Sequence, residues 1–68
     1  MAKVQDMNAM LTSATSEEKN DLAKLLMQVT LVPTGKKQGG KTLFKVTKVE
    51  KGSMWERQGL KVGDFALQ

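Results

Sequence analysis

The sequence contains no cysteine and no histidine, and its 68 residues include a single proline. Only three side chains are aromatic: Phe44, Trp55 and Phe65. Without cysteine there is no disulfide to brace the chain and no thiolate to hold a metal. Without histidine the commonest general base, the commonest zinc ligand and every imidazole triad are missing. Catalysis would have to rest on Asp, Glu, Lys, Ser or Thr alone, so the chain reads as non-enzymatic, with no cofactor and no metal. Long apolar runs are missing too. Even the β-prone stretch Val29 to Val32 is broken by Thr30, whereas a membrane span needs roughly 20 apolar residues. Behind Lys3 there is no apolar block of the kind a signal peptide carries. A natural start at Met1 therefore implies a cytoplasmic chain.

What is present is small and unevenly charged. A chain of this length buries only about 60% of the surface that its unfolded form exposes, so one thin core is expected. Residues 1–29 carry three lysines against four carboxylates, a net of −1. Residues 30–68 carry seven lysines and Arg57 against Glu50, Glu56 and Asp64, a net of +5. That excess can meet nucleic acid, an anionic surface or an acidic protein, or simply keep the domain soluble. No aromatic interleaves with the lysines as a base-stacking platform would.

Val4, Met7 and Leu11 recur at helical spacing, which predicts a short amphipathic helix over 3–11 or an N-terminal arm within 1–15. The methionines there suit a core more often than a contact surface. Thr15 stands three residues before Glu18, the capping-box spacing, and Leu22, Leu25, Leu26 and Val29 then mark one apolar face. One helix over 16–28 is predicted. Val29–Val32 is β-prone and Pro33 should end it, leaving a flexible basic loop over 34–41. Leu43–Val49 reads as a strand with a bulge near Thr47, followed by a turn at Gly52. Ser53 and Glu56 open a second capping box, and the helix it starts lasts about a turn and a half. Gly59 and Leu60 sit where a Schellman motif needs a left-handed residue and an apolar plug. A turn at Gly63-Asp64 then leads into a strand beginning at Phe65.

The sharpest formal motif points away from its usual meaning. Gly35, Gly40, Lys41 and Thr42 match the phosphate-loop pattern of nucleotide hydrolases. That loop works only where a helix N-terminus follows at once, and the residues after Thr42 read as β. Glu17 and Glu18 are neighbours on a helix, suited to the positive end of its dipole rather than to acid–base work. Ser53 lacks a base and reads as a cap.

The segment Lys45 to Asp64 runs strand, Gly-Ser, short helix, Gly-Leu and Gly-Asp before a further strand. This resembles the PDZ family, and within it the PDZ domain of type II secretion protein C. There too a leucine-rich helix precedes a strand ending in proline, as Asp21 to Pro33 does here. The resemblance covers Asp21 to Leu67. The expected fold is α+β, an N-terminal helix or helices followed by a PDZ-like barrel, with residues 1–15 an N-terminal arm or short helix and 16–68 a truncated PDZ-like domain. That domain would be a small, partly open antiparallel β-barrel with one short capped helix. The family continues past the Gly-Asp turn with further strands and a second helix that walls its peptide groove, whereas this sequence ends at Gln68. A fragment of a secretion protein would be periplasmic.

Three functions follow as expectations. The first is a protein–protein interaction module, in a secretion or envelope assembly, that pairs a partner with an edge strand built from Leu43, Phe44, Lys45, Val46 and Val49. The second is a small basic nucleic-acid-binding protein using Lys36, Lys37, Lys41, Lys45 and Lys48 on phosphates. The third is a structural subunit of a larger assembly, with an oligomer as a further possibility. Gly-Leu-x-x-Gly-Asp before a strand is also similar to the swapped-hairpin transcription factors, which are small, basic and dimeric.

Overall fold

A computed structural model describes residues 3–68. The order of elements is β1 (Val4–Asp6), α1 (Met7–Thr12), α2 (Ser16–Lys19), α3 (Leu22–Met27), β2 (Val29–Gln38), β3 (Lys41–Val49), α4 (Met54–Arg57) and β4 (Phe65–Leu67). The fold is α+β, as expected. The barrel is not: the four strands form one open, mixed sheet in the order β1-β4-β3-β2. β3 runs antiparallel to both neighbours, but β1 lies parallel to β4.

Local sequence signals explain most elements, and tertiary pairing explains the departures. Residues 3–11 do not form one helix, because Val4–Asp6 is drawn out to pair with Phe65–Leu67. The Asp6 carboxylate then caps α1 by accepting from the Asn8 and Ala9 amides, at 2.9 and 3.3 Å. The expected helix over 16–28 breaks at Asn20-Asp21. Thr15 and Glu18 make the predicted capping box for α2, but the Asp21 side chain accepts from the Lys24 amide and starts α3 afresh. Aspartate favours caps over helix interiors because it competes for nearby backbone amides. The break also splits the apolar face. Leu25 and Val29 are buried, whereas Leu22 and Leu26 remain 52% and 49% exposed.

Pro33 does not end β2, which runs on to Gln38. β2 is an edge strand, where a missing N–H removes no ladder bond. The register slips after Pro33, so Thr34 and Gly35 bulge out before pairing resumes at Lys36 and Leu43. The expected flexible loop is therefore largely a hairpin. Gly39 and Gly40 both have positive φ, +59° and +81°, as a two-residue turn of the type that matches strand twist requires. The bulge expected near Thr47 is present: Thr30 pairs with Lys48 and Leu31 with Val46, leaving Thr47 unpaired.

The segment after β3 follows its signals closely. Ser53 Oγ accepts from the Glu56 amide, and Glu56 Oε1 accepts from the Gly52 amide, one residue earlier than a standard capping box. The Schellman motif is complete. Gly59 N donates to Glu56 O at 2.9 Å, Leu60 N donates to Trp55 O at 3.0 Å, and Leu60 is buried. Met7 and Met10 of α1, Leu25 of α3, Met54 and Trp55 of α4, and Leu60 form the core with Val29, Val46 and Ala66 from the sheet. The core thus lies on the face of the sheet to which Val46 and Ala66 point.

A domain of this size has a total stability of roughly 3–10 kcal/mol, at about 0.05–0.15 kcal/mol per residue. Leu25→Ala should cost about 2–5 kcal/mol, enough to leave much of the population unfolded. Leu22→Ala, on the exposed side of the same helix, should change stability by about 0.5 kcal/mol or less. Urea unfolding of the two variants separates them; equal losses would contradict the packing described.

Candidate functional site

Register assigns every sheet residue to a face, because side chains alternate along a strand and partners in register share a side. One row crosses all four strands as Gln5, Ala66, Phe44 and Pro33. Ala66 is fully buried, so this row belongs to the core side. The rows to either side are Val4-Phe65-Lys45-Val32 and Asp6-Leu67-Leu43-Lys36. Both belong to the opposite, outer side. None of the buried core residues lies in these outer rows. Val4 and Val32 are 48% and 47% exposed, while Phe65, Leu67 and Leu43 are partly exposed. The outer side is thus an apolar strip flanked by charge.

The expected edge site needs correction. β3 is an interior strand, paired with β2 on one side and β4 on the other, so it offers no free edge to a partner. Its backbone groups are spent: Thr42 and Gln68 exchange two hydrogen bonds, and Val46 bonds Asp64 and Gly63. The candidate residues also divide between faces. Leu43 and Lys45 lie on the outer face. Phe44 and Val46 lie on the core face, where Val46 is fully buried and Val49 packs against the core.

The free edges of the sheet are β1, only three residues long, and β2, which is blunted. Thr42 and Val46 turn their backbone bonds away from β2, so the groups of the residues opposite, Lys37 and Leu31, face outward by the alternation of antiparallel ladders. Pro33, midway between them and opposite Phe44, shares that outward phase and has no N–H to offer. The Thr34-Gly35 bulge interrupts the edge further, and Lys36 and Lys37 flank it. Proline, bulges and lysines are the usual protections of an edge strand.

The candidate lysines also fall into groups. Lys41 is not available to an anion: its ammonium reaches across β4 to Asp6, 2.5 Å away. That contact, with the Ala9 and Asn8 amides, holds the Asp6 carboxyl below its usual range. Lys37 pairs with Thr42 on the core side of the hairpin. Lys36, Lys45 and Lys48 share the outer face and are exposed. Among the described residues the ion pairs are Lys41–Asp6 and Arg57–Glu18, which leaves these three lysines unpaired. The phosphate-loop match opens no helix, since Lys41 and Thr42 begin β3.

On the core side, α4 organises the helices. Trp55 Nε1 donates to Leu25 O of α3 at 2.7 Å. Gln58 Nε2, just past α4, donates to Met10 O of α1 at 2.9 Å. The Arg57 guanidinium forks onto both Glu18 oxygens of α2, at 2.8 and 3.1 Å. A shallow cleft of about 310 Å³ lies beside this cluster, lined by Glu17, Glu18, Lys24 and Ser53 among others. Glu18 is engaged by Arg57 and Ser53 by its cap, so no base–nucleophile pair stands there. Among the described residues no cluster of carboxylates could hold a metal ion, and no helix is long and apolar enough to cross a membrane.

Val4, Val32, Phe65 and Leu67 were not candidates from the sequence. Val4-x-Asp6 and Phe65-x-Leu67 alternate as exposed faces do, but only the long-range registers, antiparallel between β3 and β4 and parallel between β4 and β1, reveal that they join Leu43 and Lys45. Compared with family models, curated proteins and solved structures, the chain matches none.

The Arg57 fork, with the Thr15 amide, pulls the Glu18 carboxyl down to about 2 from an ordinary 4.5. A carboxyl lowered in the fold stabilises fully above its unfolded value and loses that contribution as pH falls through its folded one. The contribution of Glu18 therefore disappears between about pH 4.5 and 2. Glu18→Gln should lose less stability than the parent over that window in denaturant midpoints measured against pH. Parallel curves would remove the fork as a stabilising contact.

Proposed function

We propose that this chain is a non-enzymatic protein-interaction module of PDZ-like build, and that it meets its partner with the outer face of its sheet. One observation carries the reading. Val4, Val32, Leu43, Phe65 and Leu67 form an apolar strip on a sheet face that contributes nothing to the core. Isolated exposed apolar residues are ordinary, whereas a contiguous patch rimmed by charge marks an interaction surface. The PDZ likeness is supported by the Gly52-Ser53 turn, the one-turn helix, the Gly59-Leu60 stop and the Gly63-Asp64 entry into β4. These are the features from which the resemblance is read. Recognition by strand addition, the usual mode of that family, is opposed by the paired state of β3 and the blunted edge of β2.

A nucleic-acid reading is favoured by one observation, the three unpaired lysines on the same face. Three phosphate contacts on a single strand predict that log K falls with log salt at a slope of about −2. Peptide binding supported by apolar contact should depend on salt more weakly.

Selection from a random peptide library, followed by amide shift mapping, tests the proposal. Bound peptides should shift Val4, Val32, Leu43, Lys45 and Phe65 while leaving the α3 amides in place. Failure to select any peptide, together with oligonucleotide binding at the steeper slope, would overturn it.

A further inference from the structure

We propose that the occupant of the outer face is an acidic amphipathic helix of a protein partner. This rests on the reading of the chain as a protein-interaction module and names the partner's chemistry.

Charge is the first argument. Lys36, Lys45 and Lys48 stand on this face without an acidic partner among the described residues, and the one carboxylate in its rows, Asp6, is taken by Lys41. The face is therefore net positive. A second copy of the chain would set like charges against one another, which costs affinity and directs the choice toward an anionic partner. Carboxylates flanking an apolar stripe would answer the lysines that flank the strip.

The side chains favour protein over nucleic acid. Four of the five apolar residues are aliphatic, and Phe65 is the one aromatic in the outer rows. Aliphatic chains gain by covering apolar surface, whereas base recognition along a strand needs a succession of aromatic platforms. Lys45 sits inside the strip, between Phe65 and Val32 in register. A partner carboxylate would reach it beside apolar contacts, where an ion pair is less screened than on an open surface.

Backbone chemistry favours a helix over a strand. An added strand would have to use one of two poor edges: β2, whose outward phase lacks a donor at Pro33 and is broken by the bulge at Thr34-Gly35, or β1, which is only three residues long. A helix satisfies its own backbone and asks nothing of that edge. Dimensions agree. Three inter-strand gaps of about 4.8 Å separate β1 from β2, so the strip is about 14 Å wide. A helix lying across it covers that width in about nine residues, with leucines at i, i+3, i+4 and i+7 turned to the sheet.

The test uses the whole 68-residue chain and an end-capped helical peptide of about fourteen residues, leucines on one face and glutamates on the flanks. A second peptide replaces every glutamate with lysine, and a third replaces the leucines with serine. A poly-dT oligonucleotide and phosphatidylserine vesicles are measured alongside. The acidic amphipathic peptide should bind with shifts at Val4, Val32, Leu43, Lys45 and Phe65. Lys45→Glu and Lys36→Glu, both at exposed positions, should each weaken it by about fivefold with dispersion of the spectrum unchanged. The serine peptide should not bind. Equal binding of the lysine peptide at the same face would overturn the acidic partner while leaving the interaction module standing. Binding of the oligonucleotide or the vesicles alone, or of no probe at all, would overturn the acidic helix; the first of these would remove the module as well.

Discussion

The indole of Trp55, fully buried and donating to the Leu25 carbonyl, is the contact on which the arrangement of helices depends. The helices of this chain have four to six residues, and isolated helices shorter than about 12–15 residues are marginal in water. They persist because each end is satisfied and because α4 reaches all the others. Trp55 takes a last-turn carbonyl of α3, Gln58 takes one of α1, and Arg57 grips the Glu18 carboxylate of α2. α4 is itself a single turn, set by the Ser53 cap and stopped by Gly59, whose φ of +91° suits glycine. The large apolar volume of Trp55 supplies the energy, and the three donors supply direction.

Gathering the helices around Trp55 settles where the sheet is covered. Val46 and Ala66 face the cluster, so the residues next to them along β3 and β4, Lys45, Phe65 and Leu67, face away from it. β1 is held at the far edge by Asp64, a buried carboxylate that accepts from the Lys61 and Lys3 amides, while Phe65 N donates to Lys3 O at 2.8 Å. These bonds place Val4 beside Phe65 and complete the apolar strip. The Gly63-Asp64 turn therefore shapes the surface as well as the chain path. A helix-covered face and a bare, basic, apolar face are two results of one packing choice.

Elements governed by neighbours in the chain were legible in the sequence. Thr15 with Glu18, Ser53 with Glu56, Gly59 with Leu60 and the turn at Gly52 all rest on local bonds, and all stand where the residues put them. Features governed by distant partners were not. The strand Val4–Asp6 exists because Phe65–Leu67 pairs with it, and nothing in residues 3–11 announces that. Pro33 ends a strand only where its N–H would be needed, which depends on the strand being interior. β2 proved to be the edge and β3 the interior strand, and the candidate site moved accordingly from an edge to a face. Leu22 and Leu26 show the same limit: helical periodicity marks an apolar side, but a single aspartate at position 21 re-sets the helix that carries it.

Hydroxyl-radical footprinting of the free chain, normalised to the unfolded chain, tests the two-faced sheet most directly. The account predicts strong protection of Trp55, Met7 and Met54, with Phe65 and Leu43 modified far more readily relative to their unfolded rates. Protection of Phe65 and Leu43 equal to that of Trp55 would show the outer face to be covered and would contradict the account.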